Sequence, residues 1–435
     1  MPRRRKTLLV LSQVFVPDPA SVGQHVADVA AEMARRGHRV RVYASARGYE
    51  DPTRRYPARE TYHGVDVRRI DFASFGKKSL AARVLGTASF MGQVLFRCLT
   101  ERDLGGIFFS TSPPLVGVVA SVVGLLRGVP VAYWAMDLNP DQLIALGKLK
   151  PTGPAARALE AVNRFILRRS ALVVALDRFM AGRLERRMPL AGKLLVMPPW
   201  PHEDHIAASP TDGVGLRDPA AAAAPAWTAG RDDNPFRRSN GWAGKFVVMY
   251  SGNHSPSNPL GTLLDAALRF RDDSSLVFAF VGGGTGKRDV EAHVARHALS
   301  NVVSLPYQPI ENLRHSLAAA DVHVVSLGAD MVGIIHPCKI YGAMAAGRPV
   351  LYLGPRPSHV SDLLDAHPFG RAVAHGDVDG CAVAVDALRR APTDELARMG
   401  ATAADLLAAS LTQRLLCGRF CDALERALGA TRSAR

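Results

Sequence analysis

At 435 residues, with 48% hydrophobic and 21% charged side chains, the chain is too long for one ordinary core and too apolar for global disorder; it suits two domains of about 200 residues each. The net charge of +15 favours anionic partners such as nucleotide phosphates, acidic lipid headgroups or nucleic acid. No zinc-finger spacing, RNP-like strand or basic region with heptads occurs, so no nucleic-acid partner is expected. Five scattered cysteines, an odd number, fit a reduced compartment better than a disulfide framework. Cys417 and Cys421, four apart, read as one helix face, with a metal or redox role as the alternative.

A basic tail (MPRRRK) leads into an apolar run, TLLVL at 7–11, which is cut short by Ser12, Gln13, Pro17 and Asp18. That pattern is a buried strand and not a signal peptide. No apolar stretch reaches the roughly 20 residues of a spanning helix, so the chain is expected to lie on a membrane if it meets one. A loop at 15–24, a helix through about Arg36 and a strand at 39–43 make a strand, helix, strand unit. Strands follow at 65–70, 106–110 and 129–134, with helices near 79–99 and 115–127. A helix at 154–169 leads to a strand at 171–175. This alternation predicts a parallel sheet covered on both faces, ending near residues 198–201.

Residues 206–243 carry Pro, Gly and a run of five alanines without a sustained period, and read as a mobile linker. Alternation resumes with strands at 245–250, 276–281, 302–305, 322–326 and 349–352 and helices near 258–269, 288–298, 311–319 and 338–346. The expected division is 1–205, linker 206–243, 244–405, and a helical tail 406–435 that has no evident choice of domain. The fold class is α/β, with two Rossmann-like doubly wound domains facing a central cleft. In such sheets ligands bind at the carboxyl ends of the strands, where helix N-termini suit phosphates.

Four stretches carry candidate chemistry. Gly23, at the start of the first helix, would let a phosphate or sugar approach the backbone or would serve a turn. Asp137, in WAMDLNPD at 134–141, follows a strand and is placed to orient or deprotonate a reacting hydroxyl, or to cap the next helix. Residues 281–288 (VGGGTGKR) combine the glycines, Gly283 among them, with Lys287; they lack the Gly-Lys-Ser/Thr of a P-loop and read as an anion site or a plain turn. Residues 331–350 (MVGIIHPCKIYGAMAAGRPV) place Pro337 in a first helical turn and Gly347 at its end, so Gly333 and the amides of Ile334, Ile335 and His336 would face the cleft with Lys339 one turn along. That arrangement can neutralise a diphosphate.

Together these stretches resemble glycosyltransferase family 4, retaining enzymes of the GT-B fold, and within it the WbuB-type transferases of O-antigen, capsule and exopolysaccharide assembly. The resemblance rests on Val22-Gly23, STSPP at 110–114, residues 134–141, MYSGN at 249–253, FVGGG at 280–284, LPYQP at 305–309 and residues 336–350, in the expected order over about 7–355. It implies a nucleotide-diphosphate sugar held mainly by the second domain, an acceptor held mainly by the first, and neither a metal nor another cofactor. Asp377-Val-Asp379 matches Asp-x-Asp but reads as a helix cap. Two departures stand out. The family's Glu-x7-Glu pair falls on Ile334 and Gly342, and the usual Arg and Lys after the first strand of the second domain fall on Asn253 and Asn258.

Because of these departures the sugar and phosphate contacts must differ from the family's: the donor is expected to meet Gly23, Gly252, Asn253, Gly283, Lys287, Tyr307, Gln308, Gly333, Ile334 and Ile335, with Asp137, His336 and Lys339 as catalytic residues. The base would lie near Tyr307 and Gln308. The acceptor is expected to be a lipid-linked glycan or an oligosaccharide. Lys77, Lys78 and Arg83, with Leu80, Val84, Leu85 and Phe90, suggest a basic amphipathic surface for an anionic membrane, to which Arg164, Arg168, Arg169, Arg183, Arg186 and Arg187 would add. The expected location is cytoplasmic, peripheral at the inner face of the plasma membrane. The alternatives are a nucleotide-sugar epimerase of the same fold and a non-catalytic scaffold of a polysaccharide assembly complex.

Overall fold

The computed structural model describes residues 6–18, 20–48, 53–71, 80–201 and 233–433. Most of the expected linker, the basic residues 3–5, Lys77 and Lys78 lie outside them, as do the side chains of Leu80, Arg83 and Val84. The chain forms two compact units. The first is Met1–Trp200 with Gly333–His336 and Arg414–Arg435; the second is Pro201–Val332 with Pro337–Gln413.

The first unit is built on eight strands, β1 (Thr7–Leu11), β2 (Arg39–Ser45), β3 (Arg59–Tyr62), β4 (Val65–Ile70), β5 (Leu104–Phe109), β6 (Val131–Ala135), β7 (Leu172–Ala175) and β8 (Leu194–Val196). They lie in the order β3-β4-β2-β1-β5-β6-β7-β8, parallel except for β3 on β4. All five residues of β1 are buried, as expected of a central strand covered by helices on both faces. The edge strands β3 and β8 were not expected. Each is short and only partly buried, so neither carries a periodic apolar signal.

The tail belongs to both units. Helix Thr393–Ser410 lies in the second, whereas residues of helix Gln413–Ser433 from Arg414 onward join the first. Phe420 packs on Trp134 with ring centroids 4.6 Å apart, and Arg36 reaches Asp422 at 2.7 Å and Glu425 at 2.9 Å. Cys417 and Cys421 are both buried on this helix, and their mutual hydrogen bond, with burial, pushes the Cys417 thiol up, away from reactivity.

The second unit contains β9 (Phe246–Ser251), β10 (Leu276–Val281), β11 (Val302–Leu305), β12 (Val322–Ser326), β13 (Val350–Leu353) and β14 (Gly370–Val373), all parallel in the order β11-β10-β9-β12-β13-β14. This is the doubly wound arrangement, whose direction reverses between β9 and β12. Helices His359–Ala366 and Val378–Arg390 are additional to those expected. Residues 233–243 correct the linker assignment. Asn234 caps a helix at Pro235–Ser239, Arg237 is buried against the Ala319 carbonyl at 2.8 Å and pairs with Asp321, and Trp242 is buried. Five helical residues are too few to display a period.

Candidate functional site

In the second unit the loops after β9, β10 and β11 converge through backbone hydrogen bonds. Gly252 N donates to Val281 O at 2.9 Å, Gly282 N to Leu305 O at 2.9 Å, and His254 N to Gly283 O at 2.7 Å. Gly252, Gly282 and Gly284 have φ of 133°, 134° and 120°, conformations open to glycine but strained for other residues. A Cβ on Gly282 would collide with the Gly252 carbonyl, so the two loops touch through bare backbone. These turns sit at the carboxyl ends of the strands beside the reversal point, where open α/β sheets bind ligands.

Lys339 starts the helix Lys339–Ala345, and its side chain lies under Gly252: a Cβ there would be 2.6 Å from Lys339 Cε. Its ammonium is 5.3 Å from the centre of the Tyr250 ring, within cation–π range. Burial penalises the charge and pulls its pKa down to about 8. Lys339 is thus a desolvated cation against a glycine turn, an arrangement able to receive a phosphate.

The other expected donor residues of this unit are placed differently. Lys287 Nζ donates to Gly282 O at 2.8 Å and Leu305 O at 2.6 Å, so it ties the glycine loop to the end of β11. Tyr307 is exposed, with its ring edge over Gly283, where a Cβ would be 2.8 Å from Tyr307 Cε2. Gln308 donates to Pro306 O at 3.0 Å. Asn253 is exposed, whereas Asn258 is buried and donates to Ser255 Oγ at 2.9 Å. His254 was missed. Its ring is buried against Tyr250, with the backbone of Gly283 and Gly252 beside it and no hydrogen bond of good geometry to either ring nitrogen. The sequence signal was its position directly after MYSGN, at the end of a buried strand.

In the first unit, Asp137 follows β6 between buried Met136 and Leu138. Desolvation raises its carboxyl to about 6. Leu138 N donates to Ile334 O at 2.9 Å, and His336 Nδ1 lies 3.0 Å from Asp177 Oδ2. Asp177 also caps the helix Arg178–Arg187 by accepting from Met180 N at 2.8 Å. Gly333, at φ 69°, leaves no room for a Cβ, which would lie 2.6 Å from the Phe179 carbonyl carbon. Residues Gly333–His336 therefore group with the first unit, while Lys339 groups with the second. The Ile334 carbonyl and the His336 ring are thus engaged within the first unit.

Gly23 is buried inside the helix Ser21–Arg35, and a Cβ would be 3.1 Å from Phe15 N, so the helix start and the preceding loop approach through backbone there. Asp377 accepts from Gly380 N at 2.8 Å as the cap of Val378–Arg390.

Two doubly wound sheets, each reversing direction about its first strand, with a glycine turn and a desolvated lysine at one reversal point, define an α/β enzyme of the GT-B fold. Residues 21–200 match the glycosyl transferase 4-like domain and residues 245–390 the glycosyl transferases group 1 domain. The chain belongs to this glycosyltransferase family and is a transferase of glycosyl groups. It is 25% identical over 309 residues to the probable glycosyltransferase WbjE of Pseudomonas aeruginosa, covering 70% of this chain and 72% of that protein. It is 22% identical over 383 residues to the putative colanic acid biosynthesis glycosyl transferase WcaI of Escherichia coli K12, covering 83% and 86%. Among solved structures, HepE of Anabaena in complex with UDP and glucose shares the fold with a TM-score of 0.68 and 16% identity, over 97% of this chain and 99% of that one.

Proposed function

We propose that the chain is a retaining glycosyltransferase that moves a sugar from a nucleoside-diphosphate sugar to a lipid-linked or oligosaccharide acceptor. It would serve exopolysaccharide, capsule or O-antigen assembly from the cytoplasmic face of the plasma membrane, without a metal. The observation that carries this reading is the Lys339 ammonium held beneath the Gly252 turn. A departing nucleoside diphosphate gathers negative charge as the sugar's C1–O bond breaks, and a desolvated cation against a glycine turn is worth most at that moment.

In this reading Tyr307, exposed over Gly283, supplies a face for the base. Asp137 orients the acceptor hydroxyl and takes its proton as the new bond to C1 forms on the face the diphosphate leaves. The names of the relatives support the setting: WcaI is named for colanic acid biosynthesis, and HepE was crystallised with UDP and glucose.

The test is a panel of nucleoside diphosphates and their sugars screened for thermal protection, since a ligand bound to the folded state alone raises the midpoint. Protection by at least one, reduced in Lys339→Ala, is expected. Equal protection of both proteins by every ligand, or of neither by any, would overturn the reading.

A further inference from the structure

Helices Gly261–Arg269 and Lys287–His297 of the second unit pack side by side, with Leu264, Leu268, Val290 and Val294 in one apolar core. At the edge of that contact stand three side chains of metal-binding type. His293 and His297, four apart, project from one helix face with ring centroids 4.6 Å apart. Asp265, from the neighbouring helix, places Oδ1 3.7 Å from His293 Nε2.

That separation is too long for a hydrogen bond. His293 Nε2 is nevertheless buried and accepts or donates none elsewhere among the described residues. Two ligand atoms each about 2.1 Å from one tetrahedral zinc ion stand about 3.4 Å apart. The imidazole nitrogen and the carboxylate oxygen therefore have the spacing of two ligands of one ion to within about 0.3 Å.

The surroundings favour a cation. Burial, opposed by Asp265 and helped by His297 and Arg296, holds the His293 pKa below its usual value, which favours the neutral ring that a metal needs. His297 ends its helix, where backbone carbonyls carry partial negative charge. The Asp265 side chain is 52% exposed and that of His293 16%, so an ion has a path from solvent. Two imidazoles with one carboxylate select a zinc-type ion over magnesium or calcium, which take oxygen ligands.

We infer that His293, His297 and Asp265 form a site for a divalent transition-metal ion of the zinc type, which clamps the helix Lys287–His297 to the helix Gly261–Arg269. Two histidines at this helical spacing meet on one ion after a side-chain rotation of His297, and water fills the remaining position. The site lies apart from the donor turn: His293 and His297 are about 9 and 15 Å along the helix from Lys287, so the ion has no part in glycosyl transfer. It fixes the far end of the helix whose first residue, Lys287, holds the Gly282 and Leu305 carbonyls.

Equilibrium dialysis of the untagged full chain against Zn²⁺, after stripping with a chelator, tests this together with thermal melts. Wild type should bind one Zn²⁺, and its melting midpoint should rise with Zn²⁺ but not with Mg²⁺. His297→Asn and Asp265→Asn should each weaken binding about tenfold or more, and His293→Asn combined with His297→Asn should abolish the Zn²⁺-dependent rise. Glu291→Gln, which alters an exposed acid two residues from His293 and so on another face, should bind as wild type does. Melts without metal report whether the double variant folds; the two single variants, at less buried positions, carry the result if it does not. No Zn²⁺ bound by wild type, or wild-type affinity kept by both His297→Asn and Asp265→Asn, as when cysteine thiols hold the ion, would overturn the proposal. An equal rise with Mg²⁺ would overturn it too.

Discussion

His336 Nδ1 meets Asp177 Oδ2 at 3.0 Å across 159 positions of sequence, and both side chains are almost wholly buried. The same carboxylate caps the helix Arg178–Arg187 through Met180 N. One acid therefore fixes both a helix start and the segment Gly333–His336.

Replacing Asp177 by Ala removes a cap worth about 1 kcal/mol and leaves a buried imidazole nitrogen unsatisfied at a further 1–3 kcal/mol. Urea unfolding should show a loss of about 2–4 kcal/mol. A double-mutant cycle with His336→Ala should return a coupling of about 1 kcal/mol or more. A coupling near zero would mean that the contact is incidental.

Lys339 carries the proposed charge neutralisation, so Lys339→Ala is expected to cut turnover by about 10²–10³-fold, as removal of one oxyanion donor does elsewhere. Folding stability should change by no more than about 1 kcal/mol, because burial already disfavours the charge. With its pKa near 8, the side chain is an ammonium below that pH and a neutral amine above it. Nucleoside-diphosphate affinity should therefore weaken as pH rises through about 8, and Lys339→Ala should flatten that limb.

Much of this was readable from the chain, for physical reasons that also mark where reading failed. The central strands show as apolar runs because helices cover both faces, as in Thr7–Leu11 and Leu276–Val281. The Arg59–Tyr62 edge strand shows no such run, since half of it faces water. Gly252 and Gly283, each just after a buried strand, do stand where neighbouring side chains come too close for a Cβ. Lys287 was legible as a cation near that turn, but its choice of the Gly282 and Leu305 carbonyls depends on strand pairing 18 residues away. Nothing local in residues 333–336 announces that Ile334 will accept from Leu138, or His336 bond Asp177. Those partners are set by tertiary packing, so a continuous motif was cut between His336 and Pro337.

Asp137 should supply the acid limb of the rate profile. Its carboxyl titrates near 6 in the folded protein, so kcat/KM for transfer should fall as pH drops through about 6, and Asp137→Asn should lose both the limb and most of the activity. Stability runs the other way. A raised carboxyl pKa means that the folded state holds its proton more tightly than the unfolded chain does, so stability declines as pH climbs from about 4 to about 6. Asp137→Asn should then be more stable than wild type at neutral pH by about 1–3 kcal/mol, measured by denaturant melts at two pH values.

His254 offers a different handle on the donor site. Its ring is buried without a well-formed hydrogen bond, and desolvation, together with the charges of Lys287 and Lys339 and against the backbone of Gly283 and Gly252, holds its pKa below the usual histidine value, which favours the neutral ring. An anionic diphosphate arriving beside Tyr250, Lys287 and Lys339 would reverse the sign of the local potential and give the ring an acceptor for a proton it then keeps. Nucleotide binding should therefore draw protons from solution, seen as a dependence of calorimetric enthalpy on buffer ionisation heat. His254→Gln should abolish that uptake and weaken binding on the order of tenfold, the share of one charge-assisted hydrogen bond. His254→Phe, which removes the unsatisfied nitrogens while keeping a ring against Tyr250, should leave the melting temperature unchanged or higher. Proton uptake that survives in His254→Gln would assign the titrating group elsewhere and return His254 to a purely packed role.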